Sequence, residues 1–318
     1  MPNLESKVRA CYETAPFPNI LQGTADFEEA IRLGVEWAML NWRGLGFDWQ
    51  VISPSTVLCA GCGTGEEAII LSRLLPDATI HAIDISEPSL AIARQNADRA
   101  MAENITFQRL SILEDLPSLG HLYDLVYCSG VIHHLRDPKE GFGILLQCVT
   151  DGGHLLFSLY NSYGLFTYKL QLTILNLLAG DNQSKRIKWT VRLGFHDGGN
   201  KATLWDSFVH PQVTTYTIGQ VRRWASTHSR TLSGIAPPLT IPGLIAYAVK
   251  GQRFALRRRW LLNLVLQCAR PFLRSPDPAL GTVPARRTTP SSPIRDVLFQ
   301  FIYFILGKGE IFYMIKNM

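Results

Sequence analysis

Apolar and polar positions alternate in blocks between residues 55 and 160, and these blocks predict strands separated by helices. Short apolar runs predict five strands, at 56–59, 79–83, 105–109, 124–128 and 154–159. Between the first three strands, helical spacing predicts two helices, at 66–75 and 89–102. Strands that alternate with helices form a parallel sheet, and such sheets bind ligands at the carboxyl ends of their strands. The pattern therefore predicts an α/β fold with a binding site at that edge.

Residues 1–50 are predicted to form an N-terminal helical lid with a rigid corner in it. Residues 27–42 have the apolar spacing of a helix. Before them, two prolines flank Phe17, and this arrangement excludes a continuous helix. The corner exposes Tyr12 and Phe17. These side chains are expected either to pack against the domain and cap it, or to form a lid over a cofactor and a substrate.

The stretch that follows the fifth strand is less regular in its apolar pattern. Helical spacing predicts one apolar helix at 163–178 and a shorter one at 217–226. The segment between them lacks a clear period. We interpret residues of about 163–215 as an insertion that covers the substrate side of a domain spanning 51–249.

Residues 250–318 combine apolar segments with an excess of basic charge. The whole chain carries a net charge of +5, whereas this segment alone holds twelve lysines and arginines against three acids. Apolar stretches at 260–272 and 297–306, the second continuing over 310–315, predict a helical extension with a flexible linker at 275–293. Each stretch is shorter than the roughly twenty apolar residues that span a bilayer. The helices are expected either to pack on the domain or to contact an anionic membrane surface, and no nucleic-acid partner is expected.

The cysteines and the N-terminus indicate the expected compartment. The six cysteines fit no secreted disulfide framework, and Cys59 and Cys62 have no second ligand pair that would complete a metal site. The first residues are polar and of mixed charge, unlike a secretory signal. We expect a cytoplasmic protein without a bound metal, and the C-terminal helices leave membrane association open.

A glycine-rich turn follows the first predicted strand. Residues 57–65 read VLCAGCGTG, which places glycines at alternate positions 61, 63 and 65. Glycine permits a tight turn and a close approach of ligand to main chain. Asp84 follows nineteen residues later at the tip of the second strand, where a carboxylate can accept hydrogen bonds from ribose hydroxyls. The spacing predicts a nucleoside site, and it disfavours an NAD-dependent oxidoreductase because dinucleotide sites carry G-x-G-x-x-G.

The glycine turn, Asp84 and residues 128–138 (CSGVIHHLRDP) together resemble the class I S-adenosylmethionine-dependent methyltransferases. They are most similar to the small-molecule type, which includes ubiquinone and menaquinone methylases. The resemblance covers about residues 8–235. It implies a Rossmann-like, seven-stranded, mostly parallel sheet with helices on both faces. It also implies S-adenosylmethionine as cofactor and S-adenosylhomocysteine as product.

A narrower similarity is to bacterial methyltransferases that are often fused to tetratricopeptide repeats. It is carried by residues 60–65, by the corner with Tyr12 and Phe17, and by His210 with the proline after it. No such repeat is visible in this sequence.

The family resemblance implies three sets of site residues. The cofactor-binding set is Ala60, Gly61, Cys62, Gly63, Gly65, Asp84, Ile85, Ser111, Ile112 and Ser129. The acceptor-binding set is Tyr12, Phe17, Tyr160 and Trp205. Candidates for a general base are His133, His134 and His210, since histidine titrates near neutral pH. The alternative for each histidine is a packing or loop-holding role, and Asp206 is a conceivable partner of His210.

Two positions depart from the family pattern. Family members usually carry an acid at the end of the first strand, where it helps to hold the methionine ammonium group, and this chain has Cys59. We expect backbone carbonyls or Glu13 to bind that group instead. Members also usually carry an acid after the third strand for the adenine amino group, and this chain has Ser111, with Glu114 or Asp115 as candidate substitutes.

The predicted function is methyl transfer from S-adenosylmethionine to carbon or oxygen of a small, apolar or lipid-like acceptor. In such a reaction the protein mainly aligns the nucleophile with the methyl group and excludes water. The alternative is a non-catalytic module that binds S-adenosylmethionine or S-adenosylhomocysteine and docks on a membrane or a protein partner through the C-terminal helices.

Overall fold

The computed structural model describes residues 4–21, 26–196, 204–210, 213–236 and 310–317. The strands, in chain order, are β1 Thr56–Ala60, β2 Thr79–Asp84, β3 Ile105–Arg109, β4 Tyr123–Cys128, β5 Val149–Tyr160, β6 Gly234–Ala236 and β7 Glu310–Lys316. They form one sheet in the order β3-β2-β1-β4-β5-β7-β6. The first five strands pair in parallel, and β7 is antiparallel to both of its neighbours. The predicted Rossmann-like, seven-stranded, mostly parallel sheet is confirmed.

Ten α-helices surround the sheet in the described part of the chain. They are α1 Leu4–Thr14, α2 Phe27–Leu45, α3 Trp49–Ile52, α4 Glu66–Leu74, α5 Glu87–Arg99, α6 Leu116–Leu119, α7 Pro138–Gln147, α8 Phe166–Ala179, α9 Gln183–Arg192 and α10 Ile218–Thr227. A 3₁₀ turn at Ile132–His134 follows β4, and a π-helical turn at Trp205–Val209 follows α9.

The sheet separates two apolar cores because successive side chains of a strand point to opposite faces. Leu58 and Val126 belong to one core, with side chains of α7 and α10. Val57 and Leu125 belong to the other, with side chains of α2, α4 and α5. All four are fully buried, and burial of one such side chain contributes about 1.5–3 kcal/mol. The central strands therefore form a rigid base for the loops at their carboxyl ends.

Helix α5 begins at Glu87, two residues before the predicted start. Ser86 is its N-cap, and the hydroxyl of Ser86 accepts a hydrogen bond from the Ser89 N–H at 3.3 Å. Pro88 lies in the first turn, where its missing N–H costs no helical hydrogen bond. This cap fixes the chain direction two residues after Asp84, at the predicted site.

The C-terminal prediction is wrong over residues 310–315. The structure places Glu310–Lys316 in the sheet as β7, between β5 and β6, and not in a helix. Residues 311–315 are buried on both faces, so their sequence is apolar throughout and has no period that separates a strand from a helix. The domain predicted to span residues 51–249 therefore also contains a strand from residues 310–316. The segments at 260–272, 275–293 and 297–306 lie outside the described residues.

Within the described residues, every helix is too short or too polar to cross a bilayer.

Candidate active site

A cavity of about 420 Å³ lies at the carboxyl ends of β1, β2 and β4. The glycine turn and Asp84 line one part of it, and Tyr12, His134 and Tyr160 line another. Helices α1 and α2 and the corner between them close it with mainly apolar side chains. The position is the edge where parallel sheets bind ligands, and the volume suits a small molecule.

Asp84 holds the glycine turn against the tip of β2. Its Oδ2 accepts a hydrogen bond from the Gly63 N–H at 2.9 Å, and its Oδ1 accepts one from the Ser86 N–H at 2.9 Å. Burial raises the pKa of Asp84, and N–H donors of Ser86, Gly63 and Ile85 oppose that rise. The nineteen-residue spacing thus brings the carboxylate and the turn together.

The N-terminal corner docks directly on the glycine turn. The Thr64 N–H donates to the Phe17 carbonyl at 3.1 Å, and the Asn19 N–H donates to the Thr64 hydroxyl at 2.8 Å. Gly63 has a φ of +54°, and a Cβ there would lie 2.2 Å from the Phe17 carbonyl oxygen. Gly63 therefore also makes room for the corner, a role that the sequence did not reveal.

Eight of the ten predicted cofactor-binding residues line the cavity, namely Gly61, Cys62, Gly63, Asp84, Ile85, Ser111, Ile112 and Ser129. The other two lie at the two ends of the glycine turn. Ala60 is buried as the last residue of β1. Gly65 is the N-cap of α4, where a Cβ would lie 2.9 Å from Ala93 Cβ.

The three predicted histidines meet in one cluster beside the cavity. His133 and His134 lie in the turn after β4, and His210 follows the π-helical turn. The ring centroids of His133 and His134 are 4.2 Å apart, and those of His134 and His210 are also 4.2 Å apart. Of the three, His134 lines the cavity.

His134 faces a buried carboxylate. Its Nε2 lies 3.7 Å from Asp206 Oδ1, and the same oxygen accepts a hydrogen bond from the Tyr12 hydroxyl at 3.0 Å. Burial raises the pKa of Asp206, while the His134 charge and the Tyr12 hydrogen bond oppose the rise. Asp206 thus contacts His134 and Tyr12, two residues that the sequence did not connect to it.

His133 has a different environment from His134. It is fully buried and stacks on Tyr160 with ring centroids 3.8 Å apart. Neither of its ring nitrogens has a hydrogen-bond partner among the described residues. Burial lowers the pKa of His133 well below its usual range, so the ring is neutral. These contacts suit a packing role.

Three of the four predicted acceptor-binding residues, Tyr12, Phe17 and Tyr160, line the cavity. Trp205, the fourth, begins the π-helical turn and is not among the described residues that line it. Burial raises the pKa of Tyr12 and of Tyr160 well above the usual range of tyrosine, so both phenols are neutral hydrogen-bond donors.

Comparisons with known proteins agree with this geometry. A family model described as a methyltransferase domain matches residues 53–193. The chain is 31% identical to uncharacterized protein syc1184_c of Synechococcus over 60% of this chain and 54% of that protein. It is 32% identical to a ubiquinone biosynthesis O-methyltransferase of Acinetobacter baumannii over 35% of this chain and 46% of the enzyme. The chain thus spans about half the length of the curated relatives that it matches.

The chain contains a class I S-adenosylmethionine-dependent methyltransferase domain. The fold agrees with the structure of PKMT2 from Rickettsia typhi, with a TM-score of 0.55 at 13% identity over 91% of this chain and 54% of that one. At this identity the likeness shows the fold alone. The predicted family is confirmed, and with it S-adenosylmethionine as the cofactor of such domains.

Glu5 of α1 lines the cavity near Ser111, the position where the family usually has an acid after β3. The Ser111 hydroxyl donates to the Glu5 carboxylate, and both residues line the cavity. Asp115 instead holds the loop by accepting from the Ser111 N–H at 2.8 Å, and Glu114 is exposed. Glu5 was not predicted as a site residue, because it lies on α1 and no local spacing connects it to Ser111 after β3.

Glu13, one of the two expected partners for the methionine ammonium group, is exposed on α1. Its carboxylate is 3.9 Å from the Arg9 Nε, and it is not among the described residues that line the cavity. The expectation for Glu13 is therefore wrong, because the helix turns this side chain to solvent.

No group of three or more His, Cys, Asp or Glu side chains among the described residues could hold a metal ion. Burial raises the pKa of the Cys59 and Cys62 thiols well above the usual range, so both are neutral.

Proposed function

We propose that this chain transfers a methyl group from S-adenosylmethionine to oxygen or carbon of a small, largely apolar acceptor. One observation carries the proposal: a single cavity joins the nucleoside-binding edge at Asp84 to the His134 and Tyr160 side chains. A methyl donor and an acceptor that occupy the two parts of this cavity would lie beside each other.

The residues present fit the cofactor. Asp84 would accept hydrogen bonds from the ribose, and the cavity wall at Ile85 and Ile112 offers an apolar surface for the adenine. Glu5 and Ser111 would bind the adenine amino group, because a carboxylate and a hydroxyl can both accept from it. S-adenosylmethionine would supply the reactive methyl group on a sulfonium.

The protein would supply alignment, exclusion of water and a proton acceptor. Helix α1 and the corner cover the cavity, and mostly apolar side chains line it. An acceptor hydroxyl needs to lose a proton during transfer, and His134 lies at the cavity with Asp206 behind it. The carboxylate would orient the imidazole and stabilise its charged form. Phenols and enols are therefore the favoured acceptors, and the relative named as a ubiquinone biosynthesis O-methyltransferase supports oxygen.

The base role of His134 is tested by His134→Asn. We expect kcat with a small phenol such as 4-hexylcatechol to fall about 10²–10⁴-fold, the usual contribution of a positioned proton acceptor. The Kd of S-adenosylhomocysteine should change by less than about twofold, since the cofactor is bound elsewhere. The matched control is His121→Asn, at an exposed position.

Retained activity in His134→Asn would remove the base role. Cofactor binding by the unaltered protein without turnover of any phenol or enol would favour a non-catalytic binding module instead.

We also propose that the hairpin of α8 and α9 contacts an anionic membrane surface. Phe166, Leu170 and Leu177 lie on one face of α8, and their side chains are 57%, 56% and 83% exposed. Helix α9 has the sequence QSKRIKWTVR, which carries four basic residues and no acid. An apolar face beside basic side chains suits insertion into anionic headgroups. The C-terminal helices first expected to make this contact lie outside the described residues.

A further inference from the structure

The charged side chains that line the cavity are mostly acidic. Among the described residues that line it, five carry carboxylates and one carries a guanidinium, namely Glu5, Glu66, Glu67, Asp84, Glu310 and Arg136. An excess of buried negative charge favours a cationic ligand.

Three of these carboxylates have hydrogen-bond partners that account for their positions. Asp84 holds the glycine turn, and Glu5 accepts from Ser111. Glu66 accepts hydrogen bonds from the Ile20 N–H at 2.8 Å and from the Thr64 hydroxyl at 2.6 Å, and so ties the N-terminal corner to α4. The roles described so far use neither Glu67 nor Glu310.

Glu67 and Glu310 reach the cavity from different elements. Glu67 lies in the first turn of α4, and Glu310 is the first residue of β7. Both residues line the cavity, and the Glu310 charge adds to the rise in the pKa of Glu67. Burial is the main cause that raises the pKa of Glu67 to about 7, and burial also raises the pKa of Glu310.

A network of hydroxyl groups positions the two carboxylates. Tyr127 hydrogen-bonds to Glu67, and Ser129 hydrogen-bonds to Tyr127. The hydroxyls of Ser129 and Ser158 are 3.3 Å apart, and Ser158 donates to Glu310. Both acids thus line the same cavity beside the carboxyl ends of β4 and β5.

We propose that Glu67 and Glu310 bind the ammonium group of the cofactor's methionine portion. This inference rests on the proposed function. S-adenosylmethionine carries two cationic groups, and only the ammonium has N–H donors for carboxylate oxygens. A divalent metal is disfavoured, because two carboxylates alone are too few ligands and no larger donor group occurs among the described residues. The pair replaces the strand-one acid that this chain lacks at Cys59.

Calorimetry with two ligands tests the pair. S-adenosylhomocysteine carries the ammonium group, whereas 5′-methylthioadenosine has the same nucleoside and lacks the amino-acid portion. Glu67→Gln and Glu310→Gln keep the shape of each side chain and remove its charge. Each should weaken S-adenosylhomocysteine binding at least about tenfold and change methylthioadenosine binding less than about twofold. The matched control is Glu103→Gln, at an exposed position.

Unchanged affinity for S-adenosylhomocysteine in both variants would overturn the inference. Equal losses for the two ligands would also overturn it, because the effect would then lie on the nucleoside or on the fold. The two variants sit on separate elements, so a folding failure of one leaves the other as a test. Failure of the unaltered protein to bind either ligand would instead overturn the proposed function.

Discussion

Asp84 and Glu67 are two acids of one cavity with different environments. Asp84 is anchored by backbone N–H groups of Gly63 and Ser86, which stabilise its charged form. Burial is the main factor against ionisation of Glu67, the Tyr127 hydroxyl opposes that effect as a hydrogen-bond donor, and the charges of Glu310 and Glu66 add to it. The pKa of Glu67 therefore lies at about 7, so the residue is only partly ionised at neutral pH.

This environment predicts that Glu67 costs stability in the unliganded protein. Its pKa rises from 4.5 to about 7 on folding, so the unfolded chain loses the proton first. The free energy of unfolding then falls as pH rises from about 4.5 to about 7 and stays low above that range. Glu67→Gln should raise Tm by roughly 2–4 °C at pH 8, equivalent to about 1 kcal/mol, and by less at pH 5.

Thermal unfolding of both proteins without ligand at the two pH values measures this difference. The titrating groups around Glu67 are Glu66, Glu310, Tyr127 and Cys59, and they are common to both proteins. A Tm difference that is the same at pH 5 and pH 8 would contradict the raised pKa of Glu67.

Single residues were predictable where a local pattern carried them. The glycine turn and Asp84 are linked by a spacing that one strand–helix–strand unit fixes. The contacts of Glu5 with Ser111 and of Asp206 with Tyr12 were not predictable, because they span 106 and 194 positions. No period or motif connects residues so far apart.

At the scale of elements, patterns predicted the first four strands well and failed at β7. Strands β1 to β4 are flanked by helical periods and turn residues, which mark their bounds. Strand β7 has neither, and its buried run resembles part of a helix. Its place in the sheet depends on pairing with β5, which is 150 or more positions earlier in the sequence.

If the α8–α9 hairpin contacts a membrane, substitutions on its apolar face should weaken binding to vesicles. Leu170→Glu combined with Leu177→Glu should lower co-sedimentation with phosphatidylserine vesicles about tenfold, because the apolar face of α8 would gain charge. Binding of the unaltered protein should also weaken as salt rises. Val51→Glu, at an exposed apolar position on α3, is the matched control. Equal binding by the double variant and the unaltered protein would remove the hairpin from the contact.

At the scale of the whole molecule, the cavity joins distant parts of the chain. Glu5 of α1, Gly63 of the turn and Glu310 of β7 line the same space. A ligand that bridges them stabilises the folded state over the unfolded one, by about 2.7 kcal/mol at a hundredfold excess over Kd. Cofactor binding is therefore expected to depend on the correct packing of α1, the central strands and β7 around one cavity.

The most direct test is a calorimetric titration with S-adenosylhomocysteine. The unaltered protein should bind it, and Asp84→Asn should weaken binding at least about tenfold, or about 1.4 kcal/mol, because the ribose loses its carboxylate. Asp77→Asn, at an exposed position, should leave the affinity unchanged. No heat of binding by the unaltered protein, or equal affinity in Asp84→Asn, would contradict the account.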